Sequence, residues 1–174
     1  YFRESFPQYS IWRSSDYGQS FQSTGLSTVD TNYYTKAMSK NGEYVYIQVD
    51  TTASGIRFSS DYGQSFSSLS ISGMTSTTQA TIQTSSGGKF VWIATNPFSN
   101  PFDRKIFKSF DYGSTFQDVT NLIPPTTLTF KTIQVGLSGD GRVVNIYERD
   151  NSLTPTSNIV YRSLDYGQTI TALT

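Results

Sequence analysis

One eight-residue pattern occurs four times in this chain of 174 residues, at intervals of roughly 50 residues. The copies read SSDYGQSF, SSDYGQSF, SFDYGSTF and SLDYGQTI, and they begin at Ser14, Ser59, Ser109 and Ser163. Recurrence at this period is typical of an array in which one supersecondary unit is repeated. We therefore expect a series of similar units rather than one core built from unrelated elements.

The segments between the octets predict short β-strands. In the unit that ends at the third octet, apolar and polar residues alternate over residues 79–84, 90–95 and 105–109. Val, Ile, Thr and aromatic residues, which favour strands, are frequent there. The neighbouring units follow the same plan, and no stretch has helical spacing. The prediction is an all-β chain of four-stranded antiparallel units, with roughly fourteen strands in total.

The connections between these strands are of two kinds. The first and second strands of each unit are joined by KNGE (40–43), SGGK (86–89) and GDGR (139–142). Such Asn-Gly, Gly-Gly and Asp-Gly pairs predict two-residue hairpin turns with positive φ at both central residues. The octet joins the third strand to the fourth at the same end. Connections at the opposite end are longer and dissimilar, and variable loops on a rigid frame commonly carry function.

The octets resemble the Asp-box, or bacterial neuraminidase repeat, whose pattern is S-x-D-x-G-x-[ST]-[FW]. The last copy departs from it, because Ile170 stands where an aromatic residue is usual. The family includes sialidases, sortilin-type receptors, xyloglucanase-like glycosidases and photosystem assembly factors. The resemblance covers the whole chain and implies β-propeller-type blades of four antiparallel strands.

Counting strands on this plan gives about three and a half blades. The divisions are a half-blade at residues 1–25 and blades at about 26–71, 72–120 and 121–174. Such a set is an open arc or part of a larger propeller. Open arcs leave strand edges and apolar faces uncovered. We therefore expect the partner to be the rest of a larger propeller chain or copies of this chain.

Each octet residue has a predicted structural role. The carboxylate accepts backbone N–H groups across a tight turn, the serine bonds to the same turn, the glycine supplies positive φ, and the last residue points inward. A calcium-binding or catalytic role for these aspartates is the less favoured interpretation, since calcium loops of the EF-hand kind need more oxygens at alternate positions. The structural positions are Ser14, Asp16, Gly18, Phe21, Ser59, Asp61, Gly63, Phe66, Ser109, Asp111, Gly113, Phe116, Ser163, Asp165, Gly167 and Ile170.

Composition removes several kinds of site. The chain has no histidine and no cysteine, which excludes Ser-His-Asp and Cys-His catalysis, disulfides and thiolate metal sites within it. Its 13 basic and 13 acidic residues balance, whereas nucleic-acid binding needs a basic stripe. No apolar run approaches the length of about 18 residues that a membrane span requires. We expect no cofactor, no metal, no nucleic-acid partner and no membrane span.

A sialidase-like activity is the first alternative to consider. The resemblance to sialidases implies an arginine triad and a tyrosine nucleophile, and one arginine usually lies in a Phe/Tyr-Arg-Ile-Pro motif. Here Phe2 and Arg3 are followed by Glu4 instead. Basic residues that precede the octets are expected to be ladder or solvated positions rather than substrate ligands; they are Arg13, Arg57, Lys108 and Arg162.

Three functions therefore remain open, and one of them is a purely architectural role in a filament or capsid. We favour a non-catalytic scaffold or recognition module of a surface, a virion or an extracellular assembly, which binds glycan or protein through its long loops. The alternative is a fragment of a sialidase- or xyloglucanase-like glycoside hydrolase, with a carboxylate pair drawn from the loop acids Asp30, Asp50, Asp103, Glu148 and Asp150. The candidate binding residues are Tyr33, Tyr34, Phe98, Phe102, Asp103, Arg104, Glu148 and Arg149.

Overall fold

The structure, a computed structural model, describes residues 9–28, 36–50, 52, 55–75, 77–97, 104–124, 131–150 and 157–173. Within these ranges the regular structure is β-strand, apart from one 3-10 turn at Thr120–Leu122. None of the described helices is long or apolar enough to cross a membrane. The strands are β1 (Tyr9–Arg13), β2 (Gln22–Thr28), β3 (Lys36–Met38), β4 (Val45–Gln48), β5 (Ile56–Ser59), β6 (Ser67–Ser68), β7 (Thr77–Thr84), β8 (Val91–Pro97), β9 (Lys105–Ser109), β10 (Gln117–Asp118), β11 (Lys131–Leu137), β12 (Val144–Asp150), β13 (Ser157–Ser163) and β14 (Thr171–Leu173).

The strands form one two-stranded sheet and three four-stranded sheets. Sheet 1 contains β1 and β2, sheet 2 contains β3–β6, sheet 3 contains β7–β10 and sheet 4 contains β11–β14. Neighbours in each sheet are consecutive in the chain and antiparallel. This up-and-down order confirms the all-β prediction of four-stranded blades.

Two apolar clusters lie between successive sheets. One joins sheets 2 and 3 around Tyr46, Ile82 and Phe107, and the other joins sheets 3 and 4 around Trp92 and Tyr161. Sheet 3 is covered on both faces, and its strand β8 is fully buried from Val91 to Ala94. A strand buried on both faces has a continuous apolar run rather than an alternation, so the sequence VWIA departs from the alternation predicted over residues 90–95.

Side-chain amides close the gap between the first strand of one sheet and the preceding sheet. The Ala80 N–H donates to Gln48 Oε1 at 2.8 Å, and the Ile133 N–H donates to Asn96 Oδ1 at 2.8 Å. Asn96 also donates to the Ile133 carbonyl at 3.3 Å. These bonds satisfy backbone groups on edge strands that would otherwise offer a template for another chain.

The hairpins between first and second strands differ from the prediction. Only the second residue of each predicted pair takes positive φ, at Gly42 (80°), Gly88 (81°) and Gly141 (80°). The Ser39 N–H bonds to the Tyr44 carbonyl at 2.9 Å, so the loop is longer than two residues. The Ser39 hydroxyl accepts the Tyr44 N–H at 3.0 Å in place of a backbone bond. Serine therefore permits a type of turn that the glycine pair alone does not predict.

Candidate functional site

The second octet shows how the box is built. The Asp61 carboxylate accepts the Gln64 N–H at 3.0 Å, and the N–H and hydroxyl of Ser65 at 2.9 and 2.6 Å. Ser59 donates its hydroxyl to Asp61 Oδ1 at 2.7 Å and accepts the Gly63 N–H at 2.9 Å. The Ser59 hydroxyl and the Asp61 carboxylate thus both bond within their own turn. The geometry is that of an Asx-type turn with a second, serine-centred ring.

The other three octets repeat these bonds. Asp16 accepts from Ser20, Asp111 from Thr115 and Asp165 from Thr169, each through one backbone N–H at 2.9 Å and one hydroxyl at 2.6 Å. Each aspartate is tied to its own hairpin, and the described residues contain no group of three acidic side chains that could hold a metal ion. In each box these bonds hold the backbone of the turn.

The turn hydrogen bonds also set the acidity of these carboxyls. Bonds from the side chain and backbone of Ser65 lower the pKa of Asp61 to about 2, and the equivalent bonds from Ser20 lower the pKa of Asp16 to about 2. Thr169 lowers the pKa of Asp165 in the same way. Hydrogen bonds to the ionised form of an acid favour that form. The boxes consequently stay charged at neutral pH.

We expect the boxes to make the protein sensitive to strong acid. A free aspartate titrates near pH 4 and Asp61 near pH 2, so the unfolded chain binds more protons than the folded one between these values. The stabilisation is complete above the unfolded pKa and is lost as pH falls through the folded pKa. Ser65→Ala, which removes one donor, should lower the melting temperature at neutral pH, and its deficit should shrink toward pH 2.

The control for this experiment is Ser68→Ala, which removes an exposed hydroxyl from the same hairpin without touching the carboxylate. Its melting temperature relative to the wild type should not depend on pH. A Ser65→Ala deficit that stays constant from neutral pH to the acid limit would contradict the linkage, because the donor would then act independently of the charge on Asp61.

The tyrosine of each box has an unusual backbone conformation that the sequence did not reveal. Tyr17, Tyr62, Tyr112 and Tyr166 have φ values of 58°, 62°, 59° and 61°. Non-glycine residues seldom occupy this left-handed region. The Tyr-Gly pair therefore forms two consecutive left-handed residues, which turn the backbone carbonyls outward from the hairpin. A recurring Tyr before an obligatory Gly is the only sequence signal of this feature.

These carbonyls bond to the preceding sheet. Arg13 Nε donates to the Tyr62 carbonyl at 2.6 Å, the Tyr46 hydroxyl donates to the Tyr112 carbonyl at 2.9 Å, and Lys108 Nζ donates to the Gly167 carbonyl at 2.9 Å. Each donor lies on one sheet and each acceptor on the next. The box is thus both a hairpin turn and an inter-sheet contact, and the basic residues at Arg13 and Lys108 hold neighbouring sheets together.

Aromatic stacking supports two of these contacts. The Tyr112 ring stacks on Tyr44 with centroids 4.8 Å apart, and the Tyr166 ring stacks on Phe90 at 5.0 Å. Stacked aromatic pairs add about 0.5–1.5 kcal/mol beyond the burial of their surface. The turns of sheets 3 and 4 are therefore anchored by a ring from the sheet before them.

The last residue of a box also contributes to the contact with the preceding sheet. Phe116 packs against the cluster between sheets 2 and 3, and Ile170 packs against the cluster between sheets 3 and 4. Phe66 is half-buried. Phe21 differs, since it is 60% exposed, and the inward position predicted for it is not reached. The reason is that the described part of the chain places no sheet in front of sheet 1.

The predicted ligand-binding residues fall into two groups. Tyr33, Tyr34, Phe98, Phe102 and Asp103 lie outside the described residues. The other candidates lie at the variable-loop end of sheets 3 and 4 and are described next.

Arg104 and Glu148 are buried together rather than displayed. Arg104 Nη1 lies 2.8 Å from Glu148 Oε1, and their side chains are 9% and 0% exposed. The Tyr161 hydroxyl donates to Glu148 Oε2 at 3.4 Å. Burial and the adjacent Glu148 charge raise the pKa of Tyr161 to about 12. This burial argues against the surface binding role predicted for Arg104 and Glu148, and Arg149 is the exposed neighbour that remains available.

Of the loop acids proposed for catalysis, only Asp50 and Glu148 have side chains that the structure describes. Asp50 accepts the Thr52 N–H at 2.8 Å, and Glu148 is in the ion pair above. Only the backbone of Asp150 is described, and Asp30 and Asp103 lie outside the described ranges. The described loop acids are thus held by local or buried partners, an arrangement that fixes backbone geometry.

Comparison with known proteins supports the fold. No protein-family model matches the chain, and no curated protein matches it. Among solved structures it is similar to the GH74 xyloglucanase from Xanthomonas campestris, with a TM-score of 0.60 and 14% identity over 95% of this chain and 27% of that one. The chain has a β-propeller-type fold.

Two further structures agree. The GH74 enzyme of Niastella koreensis has a TM-score of 0.65 and 17% identity, over 94% of this chain and 26% of that one. YCF48 bound to D1 peptide has a TM-score of 0.55 and 15% identity, over 85% of this chain and 41% of that one. The chain therefore spans less than half the length of each of these structures, and their similarity concerns the fold alone.

Proposed function

We propose that this chain is a non-catalytic propeller-type scaffold and recognition module that binds glycan or protein at its variable-loop end. The observation that supports this most is that the described carboxylates are bonded to groups of the frame itself. The four box aspartates bond within their own turns, and Glu148 is buried in an ion pair. Carboxylates held in this way favour a rigid frame over acid–base chemistry, which requires a pKa tuned near the working pH.

The binding end is proposed to be the one where β12 and β13 meet the long loop between them. Arg149 is exposed there and pairs in register with Asn158, and the Tyr147 hydroxyl donates to Asn158 Oδ1 at 2.8 Å. A guanidinium beside an amide and a phenol offers donors and an apolar face, which suit the hydroxyls and ring faces of sugars or the polar groups of a protein. Phe98 and Phe102, which lie outside the described residues, are proposed as further ligand-binding residues.

This role suits a protein of a surface, a virion or an extracellular assembly. Its strands are rich in Ser, Thr and Tyr, and a chain without cysteine forms its frame without disulfides. The similarity to YCF48 bound to D1 peptide is consistent with protein recognition by such a fold, although a shared fold does not fix a function.

The second candidate is a glycoside-hydrolase fragment. The similarity to the two GH74 structures favours it, and a carboxylate pair about 5–10 Å apart is what the reaction needs. On this hypothesis Asp103 and its loop neighbours would provide the acid and the base. The two candidates predict different outcomes for the same protein.

Glycan-array binding combined with an assay for reducing-end release separates them. We expect retention on one class of glycan, or on a protein ligand, without turnover. Arg149→Ala should weaken binding at least about tenfold, the effect of losing one charged hydrogen bond. Arg142→Ala, at the opposite end of the same hairpin, is the matched control and should leave binding unchanged. Release of reducing ends that is abolished by Asp103→Asn would overturn the proposal in favour of the hydrolase.

A further inference from the structure

The two outermost sheets carry faces that are uncovered in the described residues. On sheet 1 the exposed residues are aromatic: Trp12 is 58% exposed, Tyr17 104% and Phe21 60%. We call these three residues the aromatic face. On sheet 4, Val143 and Asn145 are half-buried and Arg162 is exposed, and we call these three the arginine face. The aromatic face lies in and beside the first Asp-box. The arginine face lies where, by comparison with sheets 2 and 3, a further Asp-box would dock.

The aromatic face has the composition of a surface that is buried elsewhere in the molecule. Trp12 stands two residues before its box, as do Phe107 and Tyr161, which are 0% and 1% exposed. Those two rings pack into the clusters that each sheet shares with the sheet before it. Sheet 1 therefore presents, uncovered, the side that sheets 3 and 4 bury against a preceding sheet.

The arginine face occupies the positions that receive a box in sheets 2 and 3. Asn145 pairs with Arg162 across the strands, as Trp92 pairs with Lys108 and Tyr46 pairs with Phe58. Trp92 contacts the position of Gly167, and Lys108 donates to its carbonyl. Sheet 4 thus presents the side on which a further Asp-box would dock.

The charge and hydrogen-bonding groups of the two faces also match. Arg162 stands directly before its box, as Arg13 does, and Arg13 donates to the carbonyl of Tyr62 in the box SSDYGQSF. The first box has the same eight residues, and its Tyr17 has the same left-handed conformation as Tyr62, with φ of 58° and 62°. An equivalent arginine and an identical box are therefore present again on the uncovered faces. Arg162 Nε donates to Asn145 Oδ1 at 3.1 Å within its own face, so the terminal Nη groups of the guanidinium are the donors that face a second copy.

We propose that the aromatic face of one copy of the chain docks on the arginine face of a second copy, with Arg162 donating to a backbone carbonyl of the Tyr17–Gly18 turn. The contact continues the inter-sheet interface already present within the chain. Because the two faces differ, it is a head-to-tail interface, which produces rings or filaments according to whether the rotation closes. This inference does not depend on the proposed ligand-binding function, whose loops lie at the other end of the strands.

Sedimentation equilibrium over a range of concentrations tests the proposal on the whole 174-residue chain. Wild-type protein should associate into multiples of the monomer mass. Arg162→Glu and Tyr17→Asn should each weaken association at least about tenfold. Asparagine is chosen to replace Tyr17 because it tolerates positive φ. Arg149→Glu makes the same charge change at the other end of sheet 4 and should leave association unchanged. Arg162→Gln provides a milder variant, and circular dichroism verifies that each variant is folded.

Mixing the two interface variants gives the decisive result. Each variant alone lacks one face, but a mixture of Arg162→Glu with Tyr17→Asn has one intact face on each partner. The mixture should form a heterodimer and nothing larger. A wild-type chain that stays monomeric at its highest concentration, as expected if another blade or partner normally covers these faces, would overturn the proposal. So would association that survives both variants, or a mixture that remains monomeric.

Discussion

Glu148→Ala is expected to lower the free energy of unfolding by about 3–5 kcal/mol, because it leaves a buried guanidinium without its counter-charge. Arg104 is 9% exposed and lies 2.8 Å from Glu148. Its Nε has no hydrogen-bond acceptor in the described part of the chain. Glu148 therefore provides a large share of the interactions that compensate for burying the guanidinium charge. Tyr161, which donates to the same carboxylate, would lose its acceptor as well. Chemical denaturation measures the loss.

A nearby surface ion pair provides the control. Lys105 Nζ lies 2.9 Å from Asp118 Oδ2, but both side chains are more than a third exposed, at 36% and 37%. Lys105→Ala should cost about 0–1 kcal/mol, since water and salt screen an exposed pair. The double variant Arg104→Met with Glu148→Met should recover much of the lost stability, as buried ion pairs replaced by apolar groups often do. Equal losses for Glu148→Ala and Lys105→Ala would show that the buried pair is not held as described.

The strands could be predicted from the sequence because two independent signals coincide. The octets mark one end of every unit, and period-two alternation fills the space between them. The predicted run at residues 105–109 matches the strand Lys105–Ser109 to the residue. Tertiary context shortened the outer strands, and the fourth strand of sheet 2 is only Ser67–Ser68. Such strands have one neighbour, and their ends are set by the box turn rather than by propensity.

The inter-sheet contacts could not be predicted, because they depend on distant pairs. Nothing local to Arg104 indicates that it meets Glu148, which lies about one repeat unit further along the chain, on β12 of the next sheet. Both were predicted as loop residues because charged groups at strand ends are usually solvated. The left-handed conformation of the tyrosines could not be predicted for a related reason, because a conformation that costs energy locally persists only when surrounding contacts fix it.

The box therefore has a second function that its local chemistry does not reveal. Serine and aspartate close the turn. In the closed turn a carbonyl of the Tyr-Gly pair accepts a hydrogen bond from a donor on the preceding sheet. Sheets are joined in the same way along the array, so each repeat unit contacts mainly its neighbours. Stability in such arrays is approximately a sum of unit and nearest-neighbour interface contributions. Changes in a box should consequently weaken two sheets at once.

A series of glycine-to-alanine changes separates these two contributions. Gly87 has no neighbouring atom within 4 Å of an added Cβ and ordinary φ, so Gly87→Ala should be nearly neutral. Gly63 has φ of 73° and contacts no closer than 3.6 Å, so Gly63→Ala should cost about 1–2 kcal/mol for backbone strain alone. Gly167 has φ of 74°, and an added Cβ there would overlap the buried Trp92 ring.

Gly167→Ala should therefore add about 1–3 kcal/mol of overpacking to the same backbone strain. Trp92 cannot move aside easily, because it is fully buried in the cluster between sheets 3 and 4. Urea denaturation of the three variants measures the series, and tryptophan fluorescence in a Trp12→Phe background, where Trp92 is the remaining tryptophan, reports locally on the interface. If Gly167→Ala and Gly63→Ala lose the same stability, the box acts on its hairpin alone, and close packing of the Gly167 turn against the preceding sheet contributes nothing measurable.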